Sequence, residues 1–341
     1  TIRRFSMNNI LITGGLGFIG SNFISFLLNK YSDKNIINLD SLTYAGNEQN
    51  LEKYHDDNRY TFIKGDICDR VLIEKVFNKY KIDGIIHFAA ESHVDNSISH
   101  PDIFIKTNII GTFNLLDVAF KNWMIGPNKK LDHYNDSRFH HISTDEVYGS
   151  LGDTGLFKET TPYAPNSPYS ASKASSDMIV RSYHETYGMN TVITNCSNNY
   201  GPKQHKEKLI PKIIFNALNN LPIPIYGDGE NIRDWLYVED HIDALLTILK
   251  KGNIGETYCI GGFGEKKNIE VVKTICTYLD EIIPCEDSYI NLIKFVKDRP
   301  GHDYRYSIDS TKIREELNWK PKVTFEEGLR KTILWYLNNM N

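Results

Sequence analysis

The sequence predicts an α/β protein in which a doubly wound parallel sheet is joined to a smaller C-terminal α/β lobe. Short apolar segments alternate with helix-like segments through the first half of the chain. The first apolar segment runs into a glycine-rich turn, and the second ends in an acidic residue. Buried strands that alternate with helices in this way are typical of parallel sheets covered on both faces.

Length and composition indicate a globular protein of two domains. The chain has 341 residues, and 40% of them are hydrophobic, which is ample for a large core. The formal net charge is −4 and no Lys/Arg run is present, so no nucleic-acid partner is expected. The apolar run 10–28 is interrupted by Gly, Ser and Asn, so no membrane span is expected either.

The five cysteines are odd in number, widely spaced and without a C-x-x-C pair. This pattern predicts free thiols in a reducing, cytoplasmic setting, and neither a disulfide framework nor a metal site. Residues 1–6 carry no fold signal, and we expect them to be a leader or an artificial remnant.

The glycine-rich turn lies between a predicted strand at 9–13 and a helical pattern. Gly14, Gly17 and Gly20 allow a tight turn and let a pyrophosphate approach the N–H groups at the helix N-terminus. Asp40 ends the next predicted strand, where an acidic residue accepts hydrogen bonds from adenosine ribose hydroxyls. We therefore predict NAD binding, with NAD favoured over NADP because a carboxylate repels a 2′-phosphate. The alternative is a plain βα turn.

Further strand–helix units follow in order. Strands are predicted at 60–64, 84–88 and 139–143, with helices from the cap Asp69 to Tyr80 and at about 102–121. The stretch 126–137 is predicted to be an exposed loop. Polar or small residues follow two of these strands, as Gly65-Asp66-Ile67 and Ala89-Ala90-Glu91-Ser92-His93. They are expected to face the crevice beyond the strand ends.

Thr144, Asp145 and Glu146 follow the strand at 139–143, and the carboxyl end of such a strand is where open α/β sheets bind ligands. A solvated acidic turn is the alternative interpretation of this pair.

Tyr169 and Lys173 are predicted to share one face of a helix. Ser167 supplies an N-cap and Pro168 a compatible first position, so the Tyr and the Lys fall four residues apart in the first turns. An ordinary amphipathic helix with an exposed Lys is the alternative, and the glycine turn upstream favours the functional interpretation.

The C-terminal half is predicted to form the smaller lobe. Strands are expected at 190–195 and 223–226, Asp240 is expected to start the helix of 245–250, and Thr324 with Glu327 forms a capping box for the last helix. Residues 7–190 should therefore bind the dinucleotide, and 191–341 mainly the substrate, with segments returning to the main sheet.

Three polar residues of this lobe have two interpretations each. Asn268 is either a ligand contact or only the cap of the helix 269–279. Arg233 and Arg299 form either ordinary salt bridges or a bidentate clamp on a diphosphate.

Together these motifs resemble the extended short-chain dehydrogenase/reductase superfamily, whose nucleotide-binding domain is of the Rossmann type. The resemblance is narrower to the dTDP-glucose 4,6-dehydratase family, because further segments match it across almost the whole chain from Met7. These segments are LTYAGN (42–47), AAESHVD (89–95), HHISTDEVYG (140–149), SPYSASKASSD (167–177), NCSNNYGP (195–202), EKLIP (207–211), IRDWLYVEDH (232–241) and DRPGHD (298–303).

The resemblance implies a homodimeric enzyme of deoxysugar pathways such as rhamnose synthesis, with dTDP-glucose as substrate and NAD as cofactor. To the NAD site it adds Phe18, Ile19, Thr43, Asp66, Ile67, Ala89, Ala90, Thr107, Tyr169, Lys173 and Asn199. To the nucleotide-sugar site it assigns Ser92, Thr144, Asn198, Lys208, Leu209, Pro224, Tyr226, Arg233, Asn268, Arg299 and His302. The helices at 102–121 and 168–187 are expected to form the dimer interface.

The chain departs from many family members at Ser41, at Asn96, at the stretch 203–206, where a more aromatic segment is common, and in a short loop at 150–157. The first and third departures lie near the expected ligands, so thymidine and uridine both remain open as the base.

Residue chemistry predicts the division of labour in the cleft. Tyr169 would remove the C4 hydroxyl proton, because a cationic Lys173 favours the phenolate, and Thr144 would hydrogen-bond the C4 oxygen. Glu146 would then take the C5 proton, and a protonated Asp145 would give its proton to the departing C6 hydroxyl.

Other activities of the same fold remain as alternatives. A nucleotide-sugar 4-epimerase needs the Tyr/Lys pair but no acid/base pair for elimination, and a decarboxylase would need an anchor for a C6 carboxylate. A UDP-glucose 4,6-dehydratase and a non-catalytic NAD-binding regulator are the other two.

Overall fold

The computed structural model describes residues 6–339, and the predicted doubly wound parallel sheet is confirmed. The strands are numbered in chain order: β1 (Asn9–Thr13), β2 (Asn35–Asp40), β3 (Tyr60–Lys64), β4 (Gly84–His87), β5 (Met124–Gly126), β6 (Lys129–Lys130), β7 (Arg138–Thr144), β8 (Thr191–Cys196), β9 (Asn198–Tyr200), β10 (Ile223–Tyr226), β11 (Ile232–Tyr237), β12 (Thr257–Ile260), β13 (Glu265–Lys267) and β14 (Ile293–Val296).

The helices cover both faces of the main sheet and build the C-terminal lobe. They are α1 (Phe18–Lys30), α2 (Arg70–Tyr80), α3 (Val94–Ser99), α4 (Pro101–Phe104), α5 (Thr112–Trp123), α6 (Pro168–Tyr187), α7 (Leu209–Leu218), α8 (Val238–Lys251), α9 (Asn268–Ile282), α10 (Thr311–Leu317) and α11 (Phe325–Asn339). Short 3₁₀ helices lie at Glu48–Tyr54, Asp132–Tyr134, Asp145–Tyr148 and Tyr289–Leu292.

The main sheet has seven strands in the order β12-β8-β7-β4-β1-β2-β3, and every neighbouring pair is parallel. The chain first winds outward from β1 to β3 and then crosses to the other side of β1 through β4. In such sheets the crevice for a ligand opens at the carboxyl ends of the strands where the winding direction reverses. That point lies between β1 and β4.

Two glycines bring α1 close to the strand ends. Gly14 has φ +69°, and a Cβ there would lie 2.7 Å from the backbone N and Cα of Ala89. A Cβ on Gly20 would lie 2.4 Å from the carbonyl oxygen of Gly14. Backbone atoms cannot yield to such contacts, so only glycine allows the turn, the helix and β4 to approach this closely.

The helix predicted at 102–121 runs from Pro101 to Trp123, and its middle, Ile105–Gly111, is π-helical. By length and composition this helix could cross a membrane, but half of its apolar window is buried within the protein. Its contacts with α2 and α6 are those of a core helix of the α/β layer. Single π turns are frequent at functional sites.

The C-terminal lobe has two small sheets, β13-β11-β9 and β10-β14, around a separate core that includes Ile213, Val272 and Leu329. One strand from this half of the chain, β12, instead pairs with β8 at the edge of the main sheet. The lobe is therefore attached to the main sheet by continuous backbone and also by strand pairing.

Three local predictions were wrong. Within 126–137, expected to be only an exposed loop, Lys129–Lys130 pairs with β5 as an antiparallel hairpin, followed by a 3₁₀ turn. The helix assigned to 245–250 already begins at Val238, and Asp240 accepts hydrogen bonds from the backbone N–H of Lys322 and Val323 instead of starting it. Asn268 is the first helical residue of α9 and not its cap, which is Lys267.

The other local predictions agree closely with the structure. Asp69 caps α2, Ser167 caps α6, and Thr324 exchanges hydrogen bonds with Glu327 as the capping box requires. All five cysteines are free. The expectation for residues 1–6 concerns a segment of which 1–5 lie outside the described residues.

Candidate active site

A cleft of about 510 Å³ lies at the carboxyl ends of β1, β4 and β7. Every residue predicted to be catalytic or to bind the cofactor lines it. They are Gly14, Gly17, Phe18, Ile19, Gly20, Asp40, Thr43, Asp66, Ile67, Ala89, Ala90, Thr107, Thr144, Asp145, Glu146, Tyr169, Lys173 and Asn199.

The N-terminus of α1 opens onto this cleft. Its N-cap is Gly17, which has no side chain to cap the first N–H groups. Those donors and the positive end of the helix dipole are therefore available to an anion such as a pyrophosphate. This part of the chain fits a dinucleotide, because the glycines at positions 14 and 20 carry no side chains and the N-terminus of α1 stays uncovered.

Asp40 has a structural role that the sequence did not indicate. Its two carboxylate oxygens accept hydrogen bonds from the backbone N–H of Leu16 (2.9 Å) and Leu42 (2.8 Å). The carboxylate thus shapes the glycine turn as well as facing the cleft. Each oxygen keeps further acceptor capacity for ribose hydroxyls. Burial raises the pKa of Asp40, and the two backbone donors oppose this.

Asn108, in the π-helical segment, fixes the loop after β4. Its side chain accepts from the N–H of Glu91 (2.8 Å) and donates to the Glu91 carbonyl (3.0 Å) and to Ser172 Oγ (2.8 Å). One buried amide therefore holds the 89–92 loop against α6, the helix that carries Tyr169. No sequence motif predicted this contact.

The acidic pair lies in the 3₁₀ turn that follows β7. Asp145 is 2% exposed, and its Oδ2 is buried without a hydrogen-bond partner. Thr144 Oγ1 lies 3.3 Å from Asp145 Oδ1 and accepts from the Glu146 N–H at 3.3 Å. The solvated-turn interpretation is therefore wrong for this pair.

The two carboxyl groups have different surroundings. Burial, then the nearby carboxylates Glu146 and Asp234, raise the pKa of Asp145 well above its usual value. Burial also raises the pKa of Glu146, but the positive charges of Arg299, Arg233 and Lys208 oppose that rise. Asp145 thus keeps its proton more readily, and Glu146 loses its proton more readily.

Tyr169 and Lys173 lie on the inner face of α6, four residues apart as predicted. Tyr169 packs edge-on against Phe104, and Lys173 Nζ donates to the carbonyl of Ile142 at 2.8 Å. The predicted lowering of the Tyr169 pKa is not seen in the chain alone. Burial, and next the charge of Glu146, raise the pKa of Tyr169 well above its usual value.

Of the residues assigned to the nucleotide sugar, Ser92, Thr144, Asn198 and Lys208 line the cleft. Lys208 Nζ donates to the Ser92 carbonyl at 3.0 Å and joins the two sides of the opening. The other assigned residues, Leu209, Pro224, Tyr226, Arg233, Asn268, Arg299 and His302, lie outside the lining of this cleft.

Several of these outer residues gather around Asp95. Tyr226 OH donates to Asp95 Oδ2 at 3.2 Å, and Arg299 pairs with Asp95 Oδ1 at 3.6 Å. The His302 ring meets Tyr226 edge-on at 6.2 Å between centroids. Both Arg299 Nε and Asn268 Oδ1 are buried without a partner, so each has unused hydrogen-bonding capacity.

Arg233 forms no salt bridge with a carboxylate among the described residues, so the salt-bridge interpretation was wrong for it, whereas Arg299 does pair with Asp95. Its guanidinium instead donates to the carbonyls of Ile232, Asp303 and Tyr304 and stacks on Tyr306 at 4.3 Å. The positive charge of Arg233 is therefore not paired in a direct salt bridge within the described part of the chain, and it favours the binding of an anionic ligand.

His205 and Glu207 line the cleft although the sequence did not assign them to it, and Glu91 lines it as expected of the segment after β4. Glu91 and Glu207 lie close enough for the charge of Glu207 to raise the pKa of Glu91, after burial. His205 meets Tyr44 edge-on at 5.8 Å. The available signal was position, because Glu207 adjoins the assigned Lys208 and His205 lies in the stretch 203–206 that departs from the family pattern.

Comparisons with known proteins agree on the family. A family model described as GDP-mannose 4,6 dehydratase matches residues 11–332. The dTDP-glucose 4,6-dehydratase of Neisseria meningitidis serogroup B is 55% identical over 338 residues, 98% of this chain and 94% of that protein. dTDP-glucose 4,6-dehydratase 1 of Escherichia coli K12 is 54% identical over 340 residues, 97% of this chain and 93% of that protein.

Solved structures show the same fold over nearly the whole chain. A crystal structure of dTDP-glucose 4,6-dehydratase from Bacillus anthracis in complex with NAD superposes with a TM-score of 0.85 at 46% identity, covering 97% of each chain. UDP-glucose 4-epimerase from Thermotoga maritima, with UDP-glucose, has a TM-score of 0.84 at 29% identity, covering 98% of this chain and 100% of that chain.

Proposed function

The chain belongs to the dTDP-glucose 4,6-dehydratase family, and on that premise we propose that it converts dTDP-glucose to dTDP-4-keto-6-deoxyglucose with a retained NAD. This is a hydro-lyase reaction (EC 4.2.1.46). The observation that carries the proposal is the buried Asp145–Glu146 pair in the same cleft as Tyr169, Lys173 and the glycine turn.

The residues fit the cofactor. The N–H groups at the start of α1 would hold the pyrophosphate, and Asp40 would accept from the adenosine ribose. When bound, NAD would supply the hydride acceptor for oxidation at C4 and the hydride donor for reduction at C6. The net redox change is zero, so the cofactor acts as a catalyst and does not need to leave between turnovers.

Tyr169 is the group proposed to remove the C4 hydroxyl proton. Burial and the charge of Glu146 raise the pKa of its phenol, so Tyr169 can act as a base only if a nearby positive charge stabilises the phenolate. Lys173 is buried one helical turn after Tyr169 on the same face of α6, and its ammonium can supply that positive charge. We propose that Lys173 favours the phenolate when the cleft is filled, and that Thr144 donates to the C4 oxygen.

Asp145 and Glu146 are proposed to carry out the elimination. Oxidation at C4 makes the neighbouring C5 proton acidic, and Glu146, which loses its own proton more readily, takes it as the general base. Asp145 keeps its proton and gives it to the departing C6 hydroxyl. The C5–H and C6–O bonds break, and one water molecule leaves. Glu146 would return a proton to C5 when hydride is added at C6, and the proton taken up by Tyr169 balances the one that Asp145 gave up.

The outer residues are proposed to bind the nucleotide diphosphate. Arg233 and Arg299 supply guanidinium groups, and Lys208 an ammonium, on the side of the cleft that faces the C-terminal lobe. Leu209, Pro224, Tyr226, Asn268 and His302 would complete this subsite. Residues 7–190 would then form the NAD-binding domain and 191–341 mainly the nucleotide-sugar lobe.

The test is to incubate the purified protein with dTDP-glucose, and separately with UDP-glucose, without added NAD. We expect the alkaline absorbance of a 4-keto-6-deoxy sugar and the loss of one water by mass spectrometry, faster with dTDP-glucose. Tyr169→Phe should abolish the product and leave NAD bound. A sugar of unchanged mass that has become galactose would show an epimerase instead and refute the proposal.

We further propose a homodimer that works in the cytoplasm. Ile105 and Ile110 on the helix 101–123 are 54% and 47% exposed, and Met178 on α6 is 49% exposed. Apolar side chains on two neighbouring helix faces would be covered by the same faces of a second copy. Light scattering should show a dimer that Ile110→Glu converts to monomer, whereas the matched change Leu334→Glu on α11 should not.

A further inference from the structure

The segment 202–208 connects β9 to α7 and crosses the opening of the cleft. Gln204, His205, Glu207 and Lys208 from this segment line the cleft, together with Asp40 from the opposite side. Lys203 is not part of this lining, and its side chain contacts residues of the dinucleotide-binding half instead. One side of the segment therefore faces the cleft, and Lys203 on its other side packs against residues of the dinucleotide-binding half.

Lys203 attaches the segment to two parts of that half. Its Nζ donates to the carbonyl of Asn50 at 2.9 Å and lies 3.2 Å from Ser25 Oγ. Ser25 belongs to α1, which begins at the glycine turn, and Asn50 to the 3₁₀ turn after β2. Both contacts join residues more than 150 positions apart in the chain.

Two hydrogen bonds on either side of Lys203 hold the segment in the same position. Asn22 of α1 donates from Nδ2 to the carbonyl of Pro202 at 2.9 Å, and Tyr336 OH donates to the carbonyl of Gln204. The segment is therefore attached to α1 on one side and to α11 on the other.

Lys203 holds this position at an energetic cost. Its φ of +71° lies in the left-handed region that disfavours a side chain. Burial, and then the charge of Lys53, lower the pKa of Lys203 to about 8, so the ammonium form is destabilised there. The two oxygen acceptors, Asn50 O and Ser25 Oγ, offset that cost.

Gln204 gives a separate indication of a ligand beneath the segment. Its Nε2 donates to the carbonyl of Asn199 at 2.9 Å, which fixes the amide. Its Oε1 is buried and has no partner. Buried polar atoms are normally hydrogen-bonded, so we expect Gln204 Oε1 to accept from the ligand. A dinucleotide has suitable donors in its ribose hydroxyls and its carboxamide.

We infer that the segment 202–208 is a clasp that retains the dinucleotide between turnovers, with Lys203 as its anchor and Gln204 as its contact with the ligand. The inference rests on the proposed function, because a retained cofactor is what that reaction needs. Lys203 touches neither substrate nor reacting atoms, so it is a positioning residue. Its removal should change cofactor release more than the rate of turnover.

The experiment measures the half-life of bound NAD. Holoenzyme is desalted and incubated with an NAD-degrading enzyme, and the NAD still bound is assayed over time. Lys203→Met keeps the length of the side chain and removes its donors, and should release NAD about tenfold faster, equivalent to about 1.4 kcal/mol. Lys203→Arg keeps the charge and should restore most of the retention.

Lys206→Met is the matched control, because Lys206 is exposed and contacts only the Phe215 ring among the contacts described for it. It should release NAD at the wild-type rate. Lys203→Gly relieves the left-handed backbone and removes the anchor, so it too should release NAD faster, and it serves if Lys203→Met does not fold. Equal half-lives for wild type and both anchor variants would overturn the inference.

Turnover with saturating NAD separates the clasp from the proposed reaction. The Lys203→Met enzyme should then dehydrate dTDP-glucose within about twofold of the wild-type rate, since the loss is one of affinity. If the wild type dehydrates no nucleotide sugar but still retains NAD longer than the anchor variants, the proposed function fails and the clasp remains.

Discussion

Asp145→Asn should lower activity strongly without lowering stability, because Asp145 is proposed to act as a proton donor and not to hold the fold together. The change removes one proton-donating oxygen and keeps the size of the side chain. Asp145 is 2% exposed, so no bulk water replaces the missing proton. The single contact of its carboxyl with Thr144 Oγ1, at 3.3 Å, can persist with an amide oxygen.

The expected loss of kcat is about 10³-fold. General acid catalysis contributes roughly 10²–10⁴, or about 2.7–5.5 kcal/mol. Burial of the whole carboxyl group excludes a substitute donor, so we expect the middle to the upper part of that range.

Although Asp145→Asn should lose activity, its stability relative to the wild type should increase as pH rises. The pKa of Asp145 in the folded protein is raised by burial, Glu146 and Asp234. Its stabilising contribution is therefore complete below the unfolded pKa of about 3.9 and is lost as pH rises through the folded value. An amide does not titrate, so the variant should gain stability relative to the wild type as pH rises from 4 to 8. A weakened hydrogen bond to Thr144 would lower the stability of the variant by at most about 1 kcal/mol at every pH.

The assay combines product formation, measured by alkaline absorbance, with calorimetric Tm at both ends of that pH range. Glu159→Gln is the control for a carboxyl-to-amide change, because Glu159 lies outside the cleft and accepts from the Cys259 N–H. A variant that kept more than a tenth of wild-type kcat, or one that lost both activity and several degrees of Tm at pH 8, would refute the acid role.

Three further predictions follow from the same geometry. Glu146→Gln should still oxidise C4 but stall before elimination, so reduced cofactor accumulates by absorbance, whereas full dehydration would show that another group is the base. Gly20→Ala should weaken NAD binding at least tenfold in a fluorescence titration, because its Cβ would lie 2.4 Å from the Gly14 carbonyl oxygen; Gly126→Ala, with nothing within 4 Å, is the control. Burial lowers the pKa of His241 to about 3, so this histidine costs stability as pH falls below its unfolded pKa of about 6.5. His241→Leu should therefore gain about 2 kcal/mol relative to the wild type between pH 7.5 and pH 5, measured by urea unfolding, and an equal gain at both pH values would contradict this.

Local features of this chain were predictable because short-range physics decides them. The strand at 9–13, the cap Ser167 and the spacing of Tyr169 and Lys173 depend on residues within a few positions of one another. The parallel, doubly wound sheet was also predictable from the alternation of strands and helices, whereas the strand order with its reversal at β1 came from the structure. Asp145 and Glu146 were therefore assigned to the cleft from their position after a central strand.

What separates the roles of those two carboxyl groups is tertiary structure. Asp234 raises the pKa of Asp145, whereas Arg299 opposes the rise at Glu146, and both come from the C-terminal lobe. The anchoring of Lys203 and the pinning of the 89–92 loop by Asn108 likewise depend on partners far away in the chain. Burial and charge act through space, so the sequence determined which groups are present, and the fold decided which of them keeps its proton.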